Sequence, residues 1–111
     1  MKLPNGARAF VDIVKLRDYS LSAEHPRGRH KARVFAAALG LTASDAEELR
    51  HLLLASAVAC EAEPAWDDQY GERYVVDFDV ARGEWTARVR SAWIVRSGED
   101  FPRLTSCYIL K

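Results

Sequence analysis

The sequence predicts an α+β domain in which N-terminal helices pack on a C-terminal antiparallel meander of three to four strands. Two changes of pattern along the chain predict it. Between residues 29 and 59 the apolar side chains recur at helical spacing and are bracketed by helix start and stop signals. From residue 73 onward the period becomes two, and short turn sequences separate the apolar runs. Helices first and strands afterwards is an α+β order. At 111 residues the whole chain reads as one domain, 1–111.

In the first twenty residues, Pro4-Asn5-Gly6 reads as a turn, and residues 8–18 form a short strand or helix. His25-Pro26 drives the chain out of helical geometry, because the residue before proline disfavours it, and Gly28 continues the loop. A helix then runs from about Arg29 to Leu39 and stops at Gly40. Its apolar stripe is Val34, Phe35, Ala38 and Leu39. The second helix begins in "LTASDAEEL", where Ser44 with Glu47 and Thr42 with Asp45 are competing capping boxes. Leu49, Leu52, Leu53, Ser56 and Ala57 carry its buried face to about residue 59.

Residues 61–72 read as a polar, acidic linker. In "RYVVDFDV" the core set Tyr74, Val76, Phe78 and Val80 alternates with Arg73, Val75, Asp77 and Asp79. "ARGE" turns the chain into the long strand 85–96, and "SGEDFP" leads to a last strand, "RLTSCYIL". On the long strand, Trp85, Ala87, Val89, Ser91, Trp93 and Val95 are expected to face the helices. Thr86, Arg88, Arg90, Ala92, Ile94 and Arg96 make the other face. If Leu104 and Tyr108 share the core face, then Arg103, Thr105 and Cys107 join the arginines, and a register error of one residue reverses this.

Composition narrows the functional classes. Half the residues are hydrophobic (49%) and a tenth aromatic, as in a folded globular chain. The formal net charge is zero, so general attraction to polyanions or membranes is not indicated. No apolar run approaches the roughly 18 residues of a membrane helix, and "MKLPNGARAF" lacks a signal-peptide core, so a cytoplasmic location is the expectation. Cys60 and Cys107 are too few and too far apart for a disulfide framework or CxxC site, and with three histidines no structural zinc set is available. Neither a metal nor a cofactor is predicted. G-x-S-x-G and P-loop motifs do not occur.

Against this neutral background, "EHPRGRHKARVF" (24–35) gathers two histidines and four cations. Free N–H groups at a helix start favour anions, arginine adds bidentate donors for phosphate oxygens, and histidine exchanges protons near neutral pH. These are the parts of a metal-free ribonuclease: a base for the 2′-hydroxyl, cations for the crowded phosphate, an acid for the leaving oxygen. Cations at a helix start also oppose its dipole, by a few tenths up to about 1 kcal/mol each. The competing reading is a solvated turn balanced by Glu24, Asp18 or the acidic segment, and spacing alone does not decide. His51, Tyr70 and Tyr74 read as surface or core-edge residues.

The segments "LSAEHPRGRHKARVFAAALGLT", "DQYGERYVVDF" and "VRSAWIVRSGEDFPRLTSCYIL" together resemble a bacterial domain-of-unknown-function family, DUF6883, over roughly residues 10–110. Members of that family look like C-terminal modules of polymorphic toxins and like short proteins encoded beside small partners. The order of elements is similar to the small metal-independent ribonucleases of the barnase–EndoU–colicin–RelE group. The resemblance implies His30 as general acid or base and His25 as a second proton-transfer candidate. It implies Lys31, Arg90 and Arg96 as phosphate and transition-state stabilisers and Thr105 as an orienting group. Arg27, Arg29, Arg33 and Tyr108 complete the expected phosphate and RNA contacts. The expected function is a toxin-type endoribonuclease of a bacterial conflict or toxin–antitoxin system. The alternative is a non-catalytic antitoxin, immunity or adaptor module that binds a small partner protein, and a third reading binds nucleic acid without cutting it. Exposed strand edges are compatible with a homodimer.

Overall fold

The computed structural model describes residues 1–110, and in it three helices precede a four-stranded antiparallel meander. After a 3₁₀ turn at Gly6–Arg8, α1 (Ile13–Lys15) runs directly into a wide π turn, Leu16–Ser20. The Asp12 carboxylate caps α1 by accepting from the Val14 N–H at 2.9 Å. Just upstream, Phe10 behaves as strand: its N–H donates to the Pro102 carbonyl and its carbonyl accepts from Leu104 N–H. The short strand or helix expected over 8–18 is therefore one residue of strand followed by helical turns.

Helix α2 (Arg29–Leu39) ends where expected. Gly40 takes a left-handed φ of 66°, its N–H bonds Ala36 and the Leu41 N–H bonds Phe35, which satisfies the last carbonyls. Of the two competing caps before α3 (Ala46–Ala59), the structure uses the earlier. The Thr42 N–H donates to Asp45 at 3.0 Å, the return half of a capping box.

The strands are β1 (Glu63–Asp68), β2 (Gly71–Arg82), β3 (Trp85–Arg96) and β4 (Pro102–Leu110), adjacent in chain order. Residues 61–72 are thus not a linker. Glu63 pairs with Val75 and Asp68 with Gly71, making an edge strand whose every residue is exposed. With no buried face, β1 carries no apolar alternation by which the sequence could announce it. The two-residue loop Gly83-Glu84 sets β2 against β3 in unbroken register, so that Asp77 faces Arg90 and Asp79 faces Arg88.

Between β3 and β4 the register slips once. Ala92 pairs with Ser106 but Trp93 pairs with Leu104, leaving Thr105 as a bulge. The bulge corrects the expected faces of the last strand. Leu104 remains in the core, but Cys107 is buried with it (1% exposed), and Tyr108 turns out beside Arg90. Strict alternation without the extra residue gives the opposite assignment.

All helices pack on one face of the sheet. Leu16, Phe35, Leu39, Leu49 and Leu53 meet Val76, Val89 and Trp93, all inaccessible to solvent. Ser91 sits among them with its polarity satisfied: its hydroxyl donates to Val76 O at 2.8 Å and accepts from Trp93 Nε1 at 2.9 Å. Trp85, half exposed, still points towards the helices and closes over Gly40. Arg82 then locks the layers together. Its guanidinium donates to the Leu39 and Gly40 carbonyls and to Glu48. Among the described residues no helix is long and apolar enough to cross a membrane.

Candidate functional site

The cationic segment is held by an unusual turn. His25 Nδ1 accepts from the N–H groups of Arg27 (3.0 Å) and Gly28 (3.1 Å), and its carbonyl accepts from Arg29 N–H. The ring sits edge-on to Tyr19, centroids 4.6 Å apart. A neutral ring in this setting carries its proton on Nε2, because Nδ1 faces two donors. Gly28 packs so closely on the Tyr19 carbonyl that a Cβ there would lie 2.1 Å from the oxygen. His25 thus braces the entry to α2, and only its Nε2 is available for other chemistry.

From that start α2 distributes its side chains around the barrel at 100° per residue. Ala32, Phe35 and Leu39 enter the core. Lys31 leaves on the flank facing β4, with Nζ 5.4 Å from the centre of the Tyr108 ring. Arg29 and Arg33 leave on the other flank, and His30 lies exposed on the crest between the flanks.

From the sheet side, β3 and β4 place Arg90 directly opposite Tyr108. The guanidinium donates through Nε and Nη2 to both oxygens of Asp77, each at 2.9 Å, and Arg90 is the cross-strand partner of Tyr108. The hydrogen bonds with Asp77 hold the Arg90 proton more tightly than usual, and the Arg90 guanidinium holds the Asp77 carboxyl below the usual carboxylate range. Lys31, Tyr108 and Arg90 therefore converge where the first turn of α2 meets the sheet edge.

The other expected residues do not join them. Arg96 is six residues from Arg90 along β3, roughly 20 Å at strand rise, and lines a depression with Asp67, Asp68 and Glu99. The Thr105 hydroxyl donates to the Ala92 carbonyl at 3.1 Å, so it braces the bulge. Cys107 is sealed in, and burial pushes its thiol up to about 11. Among the described residues no three histidine, cysteine, aspartate or glutamate side chains converge as a metal site.

Asp77 is the residue that sequence reasoning missed. Its signal was present, because equal counting outward from the Gly83-Glu84 loop sets Asp77 opposite Arg90 and Asp79 opposite Arg88. The arginine face of the sheet is consequently neutralised: Arg88 by Asp79, Arg73 by Asp68, Arg103 by Glu99. Elsewhere Arg8, Arg17, Arg50 and Arg82 also have carboxylates at salt-bridge distance. Among the described residues, the arginines without one are Arg27, Arg29, Arg33 and Arg96. Three of these four open α2. That is how a neutral chain keeps one locally cationic surface.

The model of the family described as Domain of unknown function (DUF6883) matches residues 2–111. No curated protein and no solved structure matches the chain.

Proposed function

The chain belongs to the DUF6883 family, whose description names no activity, and from the site itself we propose a small, metal-independent endoribonuclease of toxin type. The observation that carries this reading is the convergence of Lys31, Arg90 and Tyr108 beside a helix start whose arginines have no carboxylate partner among the described residues. Lys31 and Arg90 supply charge to a phosphodiester, which matters most when the phosphorus becomes five-coordinate. His30, exposed one residue from Lys31, exchanges the proton. The 2′-oxygen bonds to phosphorus as its proton passes to a base. The bond from phosphorus to the 5′-oxygen breaks as that oxygen receives a proton, leaving a 2′,3′-cyclic phosphate and a 5′-hydroxyl. In this reading the protein acts in the bacterial cytoplasm as a conflict or toxin–antitoxin component, restrained by a small cognate partner. Arg96 and Thr105 have no place in the step, and His25 acts as a brace.

The test is cleavage of single-stranded RNA by the purified protein in the presence of a chelator, with product ends identified. Cyclic phosphate ends are expected, together with a 100- to 10,000-fold loss for His30→Ala. A folded His30→Ala protein that cuts as fast as its parent removes His30 from the reaction. Failure of the parent to cut removes the nuclease.

One observation favours a second reading. Asp77 occupies two nitrogens of Arg90, so a phosphate must share or displace that carboxylate. A non-catalytic module that docks an acidic partner protein through the α2 cations needs no such displacement. Tight binding to a neighbouring gene product without RNA cleavage supports that reading.

A further inference from the structure

Arg29 and Arg33 take no part in the Lys31–Arg90–Tyr108 cluster, yet both line a groove of about 620 Å³ on the opposite flank of α2. The groove runs between α2 and the segments before and after it, and Thr42 and Ser44 place their hydroxyls, 2.9 Å apart, in its wall. Two carboxylates also line it. Asp18 is already held by Arg17, at 2.9 and 3.3 Å, whereas Glu24 makes no salt bridge among the described residues. Arg33 in addition borders a second groove, formed by α2 and the end of β4, so its side chain spans the crest of the helix. The two guanidiniums thus have no salt-bridge partner among the described residues, lie one helical turn apart, and share the groove with a hydroxyl pair already engaged with itself and with Asp45.

We infer that Arg29 and Arg33 form a second, sequence-independent phosphate subsite, over which a single RNA strand crosses α2 on its way to Lys31 and Arg90. The inference rests on the ribonuclease reading and extends it by assigning the substrate's path. Spacing fits this occupant. Four residues of helix advance about 6 Å, close to two nucleotide steps of a stacked strand at about 3.4 Å each. The helix body, about 10–12 Å across, is crossed by three or four nucleotides at the same spacing. An acidic protein is the poorer fit, because no aromatic side chain lines the groove to anchor an interface core. The same lack of a stacking platform makes the contact one with backbone and not with bases.

The probe is a 2′-O-methyl single-stranded RNA oligonucleotide, which lacks the attacking hydroxyl, titrated by fluorescence anisotropy over a range of salt concentrations. Each single-strand phosphate contact contributes about 0.7 to the salt slope. The Arg29→Ala/Arg33→Ala protein is therefore expected to lose about 1.4 from that slope and, with the two proteins matched at 1 M salt, to bind about 25-fold more weakly than the parent at 0.1 M. Glu24→Gln is expected to tighten binding. Arg29→Gln/Arg33→Gln, with matching thermal melts, separates loss of charge from loss of fold. Parent-like slope and affinity in both double variants overturn the subsite while leaving cleavage at Lys31 and Arg90 intact. A parent that neither binds nor cuts RNA, or that binds only an acidic protein, overturns subsite and ribonuclease together.

Discussion

The two arginine-rich regions of this molecule are built to opposite rules. On the open face of the sheet, Arg88, Arg90, Arg73 and Arg103 each meet a carboxylate, in the case of Arg90 through two parallel hydrogen bonds. At the start of α2, Arg27, Arg29 and Arg33 meet none among the described residues, although the helix dipole there disfavours cations. On the sheet, Arg73, Arg88 and Arg90 tie neighbouring strands and Arg103 ties β4 to the loop before it, while the helix arginines meet no carboxylate among the described residues. Counting arginines therefore overstates the free positive charge of the surface. Counting their partners locates it.

The most severe way to break this contrast is Gly28→Ala. The added methyl meets the Tyr19 carbonyl and must dislodge the turn that presents the free cations. A loss of about 3 kcal/mol is expected in denaturant unfolding, at the upper end for overpacking. Next, Asp77→Ala should make the sheet resemble the helix by releasing Arg90, half-buried, from its partner. Unfolding should show a loss of about 1–2 kcal/mol. If Arg90 then becomes a free cation, RNA affinity rises in the same variant. Unchanged affinity would mean that Tyr108 and Lys31 keep Arg90 from reaching the substrate.

Acid sharpens the contrast further. Arginine hydrogen bonds hold the carboxyls of Asp77, Asp68 and Glu99 below their ordinary range. A carboxyl with a lowered folded-state pKa stabilises the fold above its unfolded value and loses that contribution as pH falls through the folded one. Stability should hold from neutrality to about pH 5 and decline below about pH 4. Asp77→Asn should flatten part of that decline in a pH series of melting temperatures. The smallest effect belongs to Arg29→Glu. It should gain a few tenths up to about 1 kcal/mol from the helix dipole while weakening any anion bound there. A loss of stability would show that Arg29 has a structural partner after all.

Much of the fold was legible because its signals are local. Gly40 ended α2, the Thr42–Asp45 box opened α3, and alternation from Tyr74 to Val80 announced a strand with one dry face. What escaped was non-local. β1 has no buried residue to betray it, and its pairing is supplied by the exposed edge of β2. Thr105 carries no residue-level mark of a bulge, so plain alternation from Leu104 inverts the faces of β4 beyond it. The cationic turn was visible in sequence, but the difference between a paired and an unpaired arginine depends on strands brought together by folding. His25 likewise reads as an acid–base group until its backbone donors are seen.

The bulge at Thr105 has one more consequence. Because a lone extra residue decides which side chains of the final strand are wet, the stretch from Arg103 to Cys107 is sensitive to length more than to spelling. Exchanging Ser106 for another small polar residue should pass almost unnoticed. Inserting a single residue after Thr105, with the bulge kept as it is, would swap a thiol for a phenol at the solvent boundary and carry Tyr108 away from Lys31 without altering either residue.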